Sequence, residues 1–231
     1  MTGIIGAMDI EVNGLIGRME DIKEEKISGT TYYSGKICGR ECVVAKCGIG
    51  KVNAAIAAQT MILRYHPDMI INTGIAGSTG MNTHIGHVVI AEKVVQHDMD
   101  TTIIGDKPGE LFLPEGESIV YIPCSSELIS ALEAACERVG EKNYITGIVA
   151  TGDQFIGGRE RRLALNSAFG SIACEMEGGS IGHVCYVNKV PFAILRSISD
   201  SFCDDAEAEY STFSKAAAEK SVSILLAFLS E

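Results

Sequence analysis

Short β-rich runs bounded by glycine alternate with helical stretches along the chain, and this alternation most constrains the fold. The β-rich runs cover residues 3–8, 41–47, 68–74, 87–95, 146–152, 170–175 and 191–200. The helical stretches cover 52–65, 125–140 and 210–231; in the second, Ser125 and Ser126 are possible N-caps and Gly140 is a C′ residue. Each run is almost continuously apolar, as expected of strands buried on both faces. The pattern predicts an α/β fold whose parallel or mixed sheet carries helices on both sides.

The composition favours one compact domain and argues against a nucleic-acid partner. The chain has 231 residues, of which 46% are hydrophobic, and a net charge of −11. This length supports one sizeable core, so we expect residues 1–231 to form a single domain. A phosphate backbone requires clustered Lys and Arg. The one basic cluster, Arg159, Arg161 and Arg162, reads as residues that cap or solvate a helix.

The eight cysteines predict neither disulfides nor a metal site. None forms a CxxC pair, and most stand in apolar surroundings, so we expect buried free thiols, Cys203 among them, in a reducing cytoplasm. The histidines of "THIGH" (83–87) and "HDMD" (97–100) match no established ligand pattern. The N-terminus lacks the basic region of a signal peptide, and the apolar run 224–229 is far too short for a membrane span. We therefore expect a cytoplasmic protein without a metal, cofactor or membrane partner.

Polar or glycine-rich residues follow several of the predicted strands. Met8, Asp9 and Glu11 follow the first, and the glycine-rich stretch 72–80 follows the third as a predicted turn. Glu175 and Glu177 end a later strand, and Asp200 ends the last. Ligands of open α/β sheets bind beyond the carboxyl ends of strands, which makes these residues candidates for a site. Taken alone, Glu11 or Asp200 is more simply an N-cap.

Arg196 gives the strongest physical argument for a site. By the two-residue strand period it shares a face with Ile198 and Asp200, inside the sheet layer. A buried guanidinium needs a carboxylate partner, and Glu175 or Glu11 could supply it. Glu175 and Glu177 point the same way if the strand continues through Met176, and they diverge if a helix begins at Glu177. Carboxylates with different surroundings in one apolar cleft are typical of general acid–base chemistry.

A family resemblance rests on six segments in order: 3–12, 47–55, 68–77, 152–158, 174–185 and 196–200. They read "GIIGAMDIEV", "CGIGKVNAA", "DMIINTGIAG", "GDQFIGG", "CEMEGGSIGHVC" and "RSISD". Together they resemble the 5′-methylthioadenosine/S-adenosylhomocysteine nucleosidases of the nucleoside phosphorylase family. The resemblance implies a three-layer αβα sandwich with a mixed, curved central sheet, and a homodimer. It also implies hydrolysis of an N-glycosidic bond, which releases adenine from methylthioadenosine, S-adenosylhomocysteine or 5′-deoxyadenosine in methionine salvage.

The resemblance also implies a role for each site residue. Glu11 is the base that activates water, and Asp200 is the acid that protonates adenine N7. An unperturbed Asp is ionised at neutral pH, so Asp200 needs help from its surroundings, and the neighbouring Ser199 is a candidate helper. The other expected contacts are Phe155 and Ile156 with adenine, Met176 and Glu177 with the ribose, Gly77 lining the site, Arg196 ordering the water, and Met8, Ile49 and Tyr210 at the 5′-alkylthio group. Glu175 remains open between an ionic partner of Arg196 and another supporting role.

The irregular segment 97–124 is expected to form a working loop, because it carries three prolines and several glycines. In the resemblance its 101–114 part reaches the neighbouring subunit's pocket.

Two alternatives stay open beside this hydrolase. One is a purine nucleoside phosphorylase, although phosphate needs cationic and hydroxyl groups, and Glu11 would repel it. The other is a catalytically silent nucleoside-binding or sensor module. One departure bears on rate and fine specificity: Ile75 stands where many family members carry a serine that positions the water. The sequence does not rank methylthioadenosine, S-adenosylhomocysteine, 5′-deoxyadenosine and aminodeoxyfutalosine as substrates.

Overall fold

The sheet elements of the chain build one continuous curved sheet and one small separate ribbon. The computed structural model describes residues 1–201 and 206–231, with 206 and 207 described by their backbone only; the thiol predicted at Cys203 lies outside these residues. The strands of this part of the chain are β1 Thr2–Gly6, β2 Glu20–Ile27, β3 Thr30–Ile37, β4 Arg40–Lys46, β5 Met69–Ser78, β6 Val88–Gln96, β7 Leu111–Phe112, β8 Ser118–Ile119, β9 Ile122–Pro123, β10 Tyr144–Thr151, β11 Ser171–Glu175 and β12 Phe192–Asp200. The helices are α1 Asp9–Ile16, α2 Lys51–Tyr65, α3 Ser126–Arg138, α4 Arg159–Phe169, α5 Gly178–Asn188 and α6 Ala206–Leu229.

The sheet is mixed and strongly curved. Its strand order is β11-β10-β6-β12-β5-β1-β4-β3-β2, with β9 added beside β6. β11 also pairs antiparallel with β5, where Ala173 faces Ser78 and Cys174 faces Gly77. The strands β5, β12, β6, β10 and β11 thus close into a ring. This closure brings the ends of β5, β11 and β12 together at one place.

Helices cover both sides of the sheet. Neighbouring residues of a strand point to opposite faces, and both faces are apolar, so each face packs against its own layer of helices. Ile5 packs in one core with Ala54 and Met61 of α2 and Ile181 of α5. Ile4 packs in the other core with residues of α1, α3 and α6, such as Val12, Leu132 and Leu225. The layers are therefore helix, sheet and helix. The predicted three-layer αβα sandwich with a mixed, curved sheet is confirmed.

The predicted elements recur with small shifts in their ends. Each β-rich run is a strand, and the three helical stretches are α2, α3 and α6. The Ser125 side chain accepts a hydrogen bond from the Leu128 backbone and caps α3, while Gly140 follows this helix with φ +74°. The 97–124 segment is irregular as predicted, with a 3-10 turn at Thr102–Ile104 and the short strands β7, β8 and β9.

The prediction of a glycine-rich turn at 72–80 is wrong. β5 runs through Ser78, and nearly all of it is buried. Its glycines serve close packing of side chains across the strand: a Cβ at Gly77 would lie 2.8 Å from Asp200 Oδ2 and 2.9 Å from Arg162 Nη1. Separations below 3 Å are tighter than a Cβ tolerates, so glycine is required for space rather than for a turn.

The elements that the pattern missed are the β2–β3 hairpin and the helices α1, α4 and α5. β2 reads "EDIKEEKI" and is exposed along most of its length, so it lacks the apolar signal of a buried strand. Helix α5 reads "GGSIGHVCYVN"; its small residues pack closely against neighbouring strands, and no polar face marks it as a helix.

Candidate active site

A cavity of about 740 Å³ lies where β1, β5, β11 and β12 end. Its walls include most of the predicted site residues: Met8, Glu11, Ile49, Gly77, Phe155, Glu175, Met176, Glu177, Ser199, Asp200 and Tyr210. Arg196 and Ile156 lie behind the wall, where both are buried. The curvature of the sheet thus gathers residues that are nearly 200 positions apart in the chain.

Glu11 is held by backbone donors at the start of α1. Its Oε2 accepts hydrogen bonds from the backbone N–H groups of Ala7 (2.7 Å) and Met8 (2.9 Å), and its Oε1 accepts one from Ile75 (3.1 Å). Met8 is the N-cap of α1 and Glu11 stands at its third helical position, so the bond from Met8 is part of a capping box, and this role is compatible with a chemical one. Burial raises the pKa of Glu11, although Arg196 and the three backbone donors oppose this rise. A carboxylate of raised pKa is a stronger base than an exposed one.

Arg196 stands at the centre of the carboxylates. It is fully buried and forms an ion pair with Glu175, and its Nη2 lies 3.6 Å from Glu177 Oε2. Its Nη2 also donates to Asn72 Oδ1 at 2.5 Å. Its Nε and Nη1 have no partner among the described residues. A Cβ on Gly74 would lie within 2.5 Å of both Arg196 Nη1 and Glu11 Oε1. The unpaired Nη1 and the carboxylate of the predicted base therefore lie beside the same small space.

Glu175 and Glu177 differ in their partners although they are two residues apart. Strand β11 ends at Glu175 and helix α5 begins at Gly178, so the chain turns between them. Glu175 accepts hydrogen bonds from the Thr151 hydroxyl and from the N–H groups of Glu177 and Gly178 (3.0 and 2.7 Å), besides its ion pair. Of the partners considered for Arg196, Glu175 is therefore the ionic one.

Glu177 lines the cavity with fewer donors. Its Oε1 accepts a hydrogen bond from the Gly50 N–H at 2.9 Å. Burial and the neighbouring Glu175 raise the pKa of Glu177 to about 7, against the opposing effects of Arg196 and Gly50. The turn that carries Gly50 is anchored in turn by Lys51, whose Nζ lies 2.6 Å from Asp98 Oδ1. Glu177 is thus a carboxyl that titrates near neutrality and faces open space.

Asp200 ends β12 with both carboxylate oxygens occupied. Its Oδ1 accepts a hydrogen bond from the Ser199 hydroxyl at 2.6 Å. Its Oδ2 forms an ion pair with Arg162, a fully buried side chain at the start of α4. The expectation that the Arg159, Arg161 and Arg162 cluster only caps or solvates a helix is therefore wrong for Arg162. A signal existed in the sequence, because Arg162 shares a helical face with Leu165 and Phe169.

The mouth of the cavity carries aromatic and aliphatic side chains. Phe155 is 51% exposed, and its ring meets the Tyr210 ring edge to face at 5.8 Å. The Tyr210 hydroxyl lies 3.4 Å from the Met8 sulfur. Ile75 packs against Ala217 and Ala218 and contributes no hydroxyl, so only its backbone reaches Glu11. Among the described residues, no group of three or more His, Cys, Asp or Glu side chains is arranged to hold a metal ion.

A curved αβα sandwich with an acidic cavity at its strand ends is the architecture of nucleoside phosphorylase-like enzymes, and comparisons with known proteins agree. A family model, that of the Phosphorylase superfamily, matches residues 2–230. A 5′-methylthioadenosine/S-adenosylhomocysteine nucleosidase of Shewanella loihica is 37% identical over 98% of this chain and 97% of its own length. The chain belongs to the phosphorylase superfamily and, within it, to the family of 5′-methylthioadenosine/S-adenosylhomocysteine nucleosidases.

Solved structures extend the comparison. The nucleosidase of Neisseria meningitidis in complex with methylthio-immucillin-A superposes with a TM-score of 0.93 at 31% identity, over 99% of this chain and 98% of that one. A futalosine hydrolase mutant of Helicobacter pylori superposes with a TM-score of 0.92, also at 31% identity, over 98% and 97% of the two chains. The fold is therefore shared by hydrolases with different nucleoside substrates.

Proposed function

We propose that this chain hydrolyses the N-glycosidic bond of 5′-methylthioadenosine and S-adenosylhomocysteine and releases adenine. The observation that carries the proposal is the convergence of Glu11, Glu177 and Asp200 on one cavity whose remaining walls are largely apolar. The names of its full-length relatives support the same reaction. Such a cavity suits a nucleoside with an apolar thioether, since its polar groups are few and directed.

Water is activated at Glu11. The unpaired Nη1 of Arg196 and the Oε1 of Glu11 face a common space beside Gly74. A water molecule there would accept a hydrogen bond from Arg196 and give its proton to Glu11 as its oxygen bonds to C1′. This arrangement needs no side-chain hydroxyl at position 75, because the Ile75 N–H already orients Glu11.

Adenine departs with a proton from Asp200. Asp200 must first bind a proton on Oδ1, which can still accept the Ser199 hydrogen bond while Oδ2 stays bound to Arg162. The C1′–N9 bond then breaks with its electron pair going to the base, and N7 receives the proton from Oδ1. Glu11 has gained one proton and Asp200 has lost one, so exchange with solvent restores both. Phe155 stacks on adenine, and the backbone of Ile156 binds its edge. Asp200→Asn removes the acid, and we expect turnover to fall by ~10²–10⁴-fold; a rate near that of the wild type would refute this role.

The ribose is held by Glu177 and Met176. Within the described part of the chain, the Gly50 N–H is the only close hydrogen-bond donor to Glu177, so its remaining lone pairs are available to ribose hydroxyl groups. Met176 lies between the two glutamates and lines the same cavity. The sugar becomes oxocarbenium-like as the bond breaks, and the nearby carboxylates stabilise that positive charge.

Hydrolysis and phosphorolysis are distinguished by one experiment. Arg196 faces Glu11, Glu175 and Glu177, so its charge is already balanced and phosphate would meet net repulsion. The assay follows adenine release from methylthioadenosine in phosphate-free buffer and again with added phosphate. We expect equal rates and free methylthioribose as the sugar product. Strict dependence on phosphate would make the protein a phosphorylase, and binding without release would make it a sensor module.

The substrate range is a second proposal. Met8, Ile49 and Tyr210 line the cavity where the 5′ substituent is expected. The structural similarity to a futalosine hydrolase favours testing a larger 5′ substituent as well. Comparative kcat/KM values for methylthioadenosine, S-adenosylhomocysteine, 5′-deoxyadenosine and aminodeoxyfutalosine measure the range. We expect the first two to be the best substrates; a strong preference for aminodeoxyfutalosine would contradict that expectation.

We also propose a homodimer in which the 101–114 loop reaches the partner's pocket. Apolar side chains are unusually exposed on this loop and on α2: Ile103 is 95% exposed, Ile104 76% and Val52 68%. Such side chains favour a protein interface over solvent. Light scattering is expected to give twice the chain mass, and Ile103→Asp is expected to shift it towards the monomer. A wild-type monomer at micromolar concentration would contradict the proposal.

A cytoplasmic location is the remaining proposal. Among the described residues, no helix has the length and apolar character needed to cross a membrane. The cysteines described in the structure are free thiols, and all but Cys38 are buried. Thiols of this kind are typical of a reducing compartment. Cell fractionation tests the location, and recovery of the protein outside the cytoplasm would contradict it.

A further inference from the structure

Arg162 is a buried charge that the proposed chemistry does not yet use. Its side chain is 0% exposed, and it lies at the start of α4. Its guanidinium donates to three backbone carbonyls and one carboxylate: Nε to Ile156 O (3.0 Å), Nη1 to Ser78 O (3.0 Å) and Asp200 O (3.2 Å), and Nη2 to Asp200 Oδ2. Each nitrogen of the guanidinium therefore has an acceptor, and their positions are fixed.

The acceptors of Arg162 are not a random set. In the proposed function, on which this inference rests, Asp200 protonates adenine N7 and the Ile156 backbone binds the adenine edge. Arg162 bonds to both at once, and to the end of β5 through Ser78. One side chain thus connects the proton donor to the loop that recognises the base.

Stability alone does not explain this arrangement. Desolvating two charges costs as much as their pairing returns, so a buried ion pair is weak grounds for a stabilising role. The sheet also makes room for the pair: a Cβ at Gly77 would lie 2.9 Å from Nη1 and 3.0 Å from Nη2 of Arg162. If position 162 served stability alone, an apolar side chain could fill the same space, and Gly77 would not be needed to make room for a guanidinium.

We propose that Arg162 is a positioning residue for the departure of adenine. It holds the Asp200 carboxyl and the Ile156 carbonyl in one fixed arrangement, so that the proton donor and the base-binding backbone meet the same ring. Arg162 keeps its charge throughout and exchanges no proton with the substrate. Fixed orientation of this kind lowers the barrier because the reacting groups need not be reorganised.

The test compares Arg162→Met and Arg162→Lys with the wild type. The measurements are kcat and KM for methylthioadenosine, the Kd of adenine by calorimetry, and the unfolding temperature. Arg159→Met is the matched control, because Arg159 lies exposed on the same helix. We expect Arg162→Met to lower kcat by about 100-fold and to weaken adenine binding by about tenfold. Arg162→Lys should recover part of both, since it keeps the charge but cannot reach all the acceptors, and Arg159→Met should change neither.

The outcomes separate positioning from a structural role. If Arg162 only supported the fold, Arg162→Met would lower the unfolding temperature, but the folded variant would keep kcat and the adenine Kd within threefold of the wild type. That result would overturn the proposal. If Arg162→Met does not fold, Arg162→Lys decides: kcat within threefold of the wild type overturns the proposal, and a loss of tenfold or more supports it. A wild type that binds adenine but releases none from methylthioadenosine refutes the proposed function instead, and the adenine Kd then still tests Arg162.

Discussion

Replacing Glu175 by glutamine should destabilise the protein far more than a single charge change usually does. The Glu175 side chain is 2% exposed and pairs with a fully buried Arg196. It also accepts hydrogen bonds from the Thr151 hydroxyl and from the backbone of Glu177 and Gly178. Glutamine offers one acceptor oxygen, and its amide N–H groups would face donors already present. Removing one partner of a buried ion pair costs about 3–5 kcal/mol.

The assay is urea unfolding at pH 7 for the wild type, Glu175→Gln, Arg196→Met and the double variant. We expect Glu175→Gln to lose about 3–5 kcal/mol and the double variant to lose at least about 1 kcal/mol less than the sum of the single losses. Glu24→Gln on the exposed strand β2 is the control and should change stability by less than about 0.5 kcal/mol. A loss below about 1 kcal/mol for Glu175→Gln, or strictly additive losses, would refute the ion pair as the reason for this residue.

Three further predictions concern the cavity. Burial and Glu175 raise the pKa of Glu177 from 4.5 to about 7, so the folded protein keeps a proton that the unfolded chain releases. The protonated carboxyl therefore adds to the free energy of unfolding; this contribution is complete below pH 4.5 and is lost as the pH rises through 7. Between pH 5 and pH 8 the wild type should lose roughly 2–3 kcal/mol of unfolding free energy relative to Glu177→Gln, and parallel pH curves would contradict this. Gly77→Ala should destabilise by about 1–3 kcal/mol and lower kcat, because its Cβ would displace Asp200, and an unchanged melting curve with full activity would exclude that crowding. Ile75→Ser should change kcat by less than about tenfold, since the Ile75 backbone N–H already orients Glu11. A larger gain in kcat would show that a hydroxyl at position 75 assists the attack of water.

The sequence predicted those parts of the fold that depend on local pattern. Continuous apolar runs identified each strand that is buried on both faces, and helices α2, α3 and α6 followed from their periodicity and caps. Strand β2 was missed because it is an exposed strand of charged residues. The 72–80 stretch was misassigned because glycine is ambiguous: it serves turns, and it also serves a strand crossed closely by large side chains, as Gly77 is by Asp200 and Arg162.

The sequence predicted the site residues that lie at strand ends. It did not predict which side chains form ion pairs between different elements of the sheet. The strand period required a carboxylate for Arg196, yet only the curvature of β11 and β12 selects Glu175. Arg162 was assigned to a helix cap or a solvated helix face because it stands in a run of charged residues with Arg159 and Arg161, which are the exposed members of that run. Its burial follows from the packing of α4 against β10 and β11, and the one local sign of that packing is the helical face that Arg162 shares with Leu165 and Phe169.

The claim that these carboxylates form a catalytic centre is tested most directly by Glu11→Gln. The measurement is the single-turnover rate of adenine release from saturating methylthioadenosine, with binding of the same ligand followed in parallel. Glutamine keeps the size of the side chain but cannot take a proton from water, so we expect the rate to fall by at least ~10²-fold while the ligand remains bound. A Glu11→Gln protein that releases adenine at the wild-type rate would contradict the account.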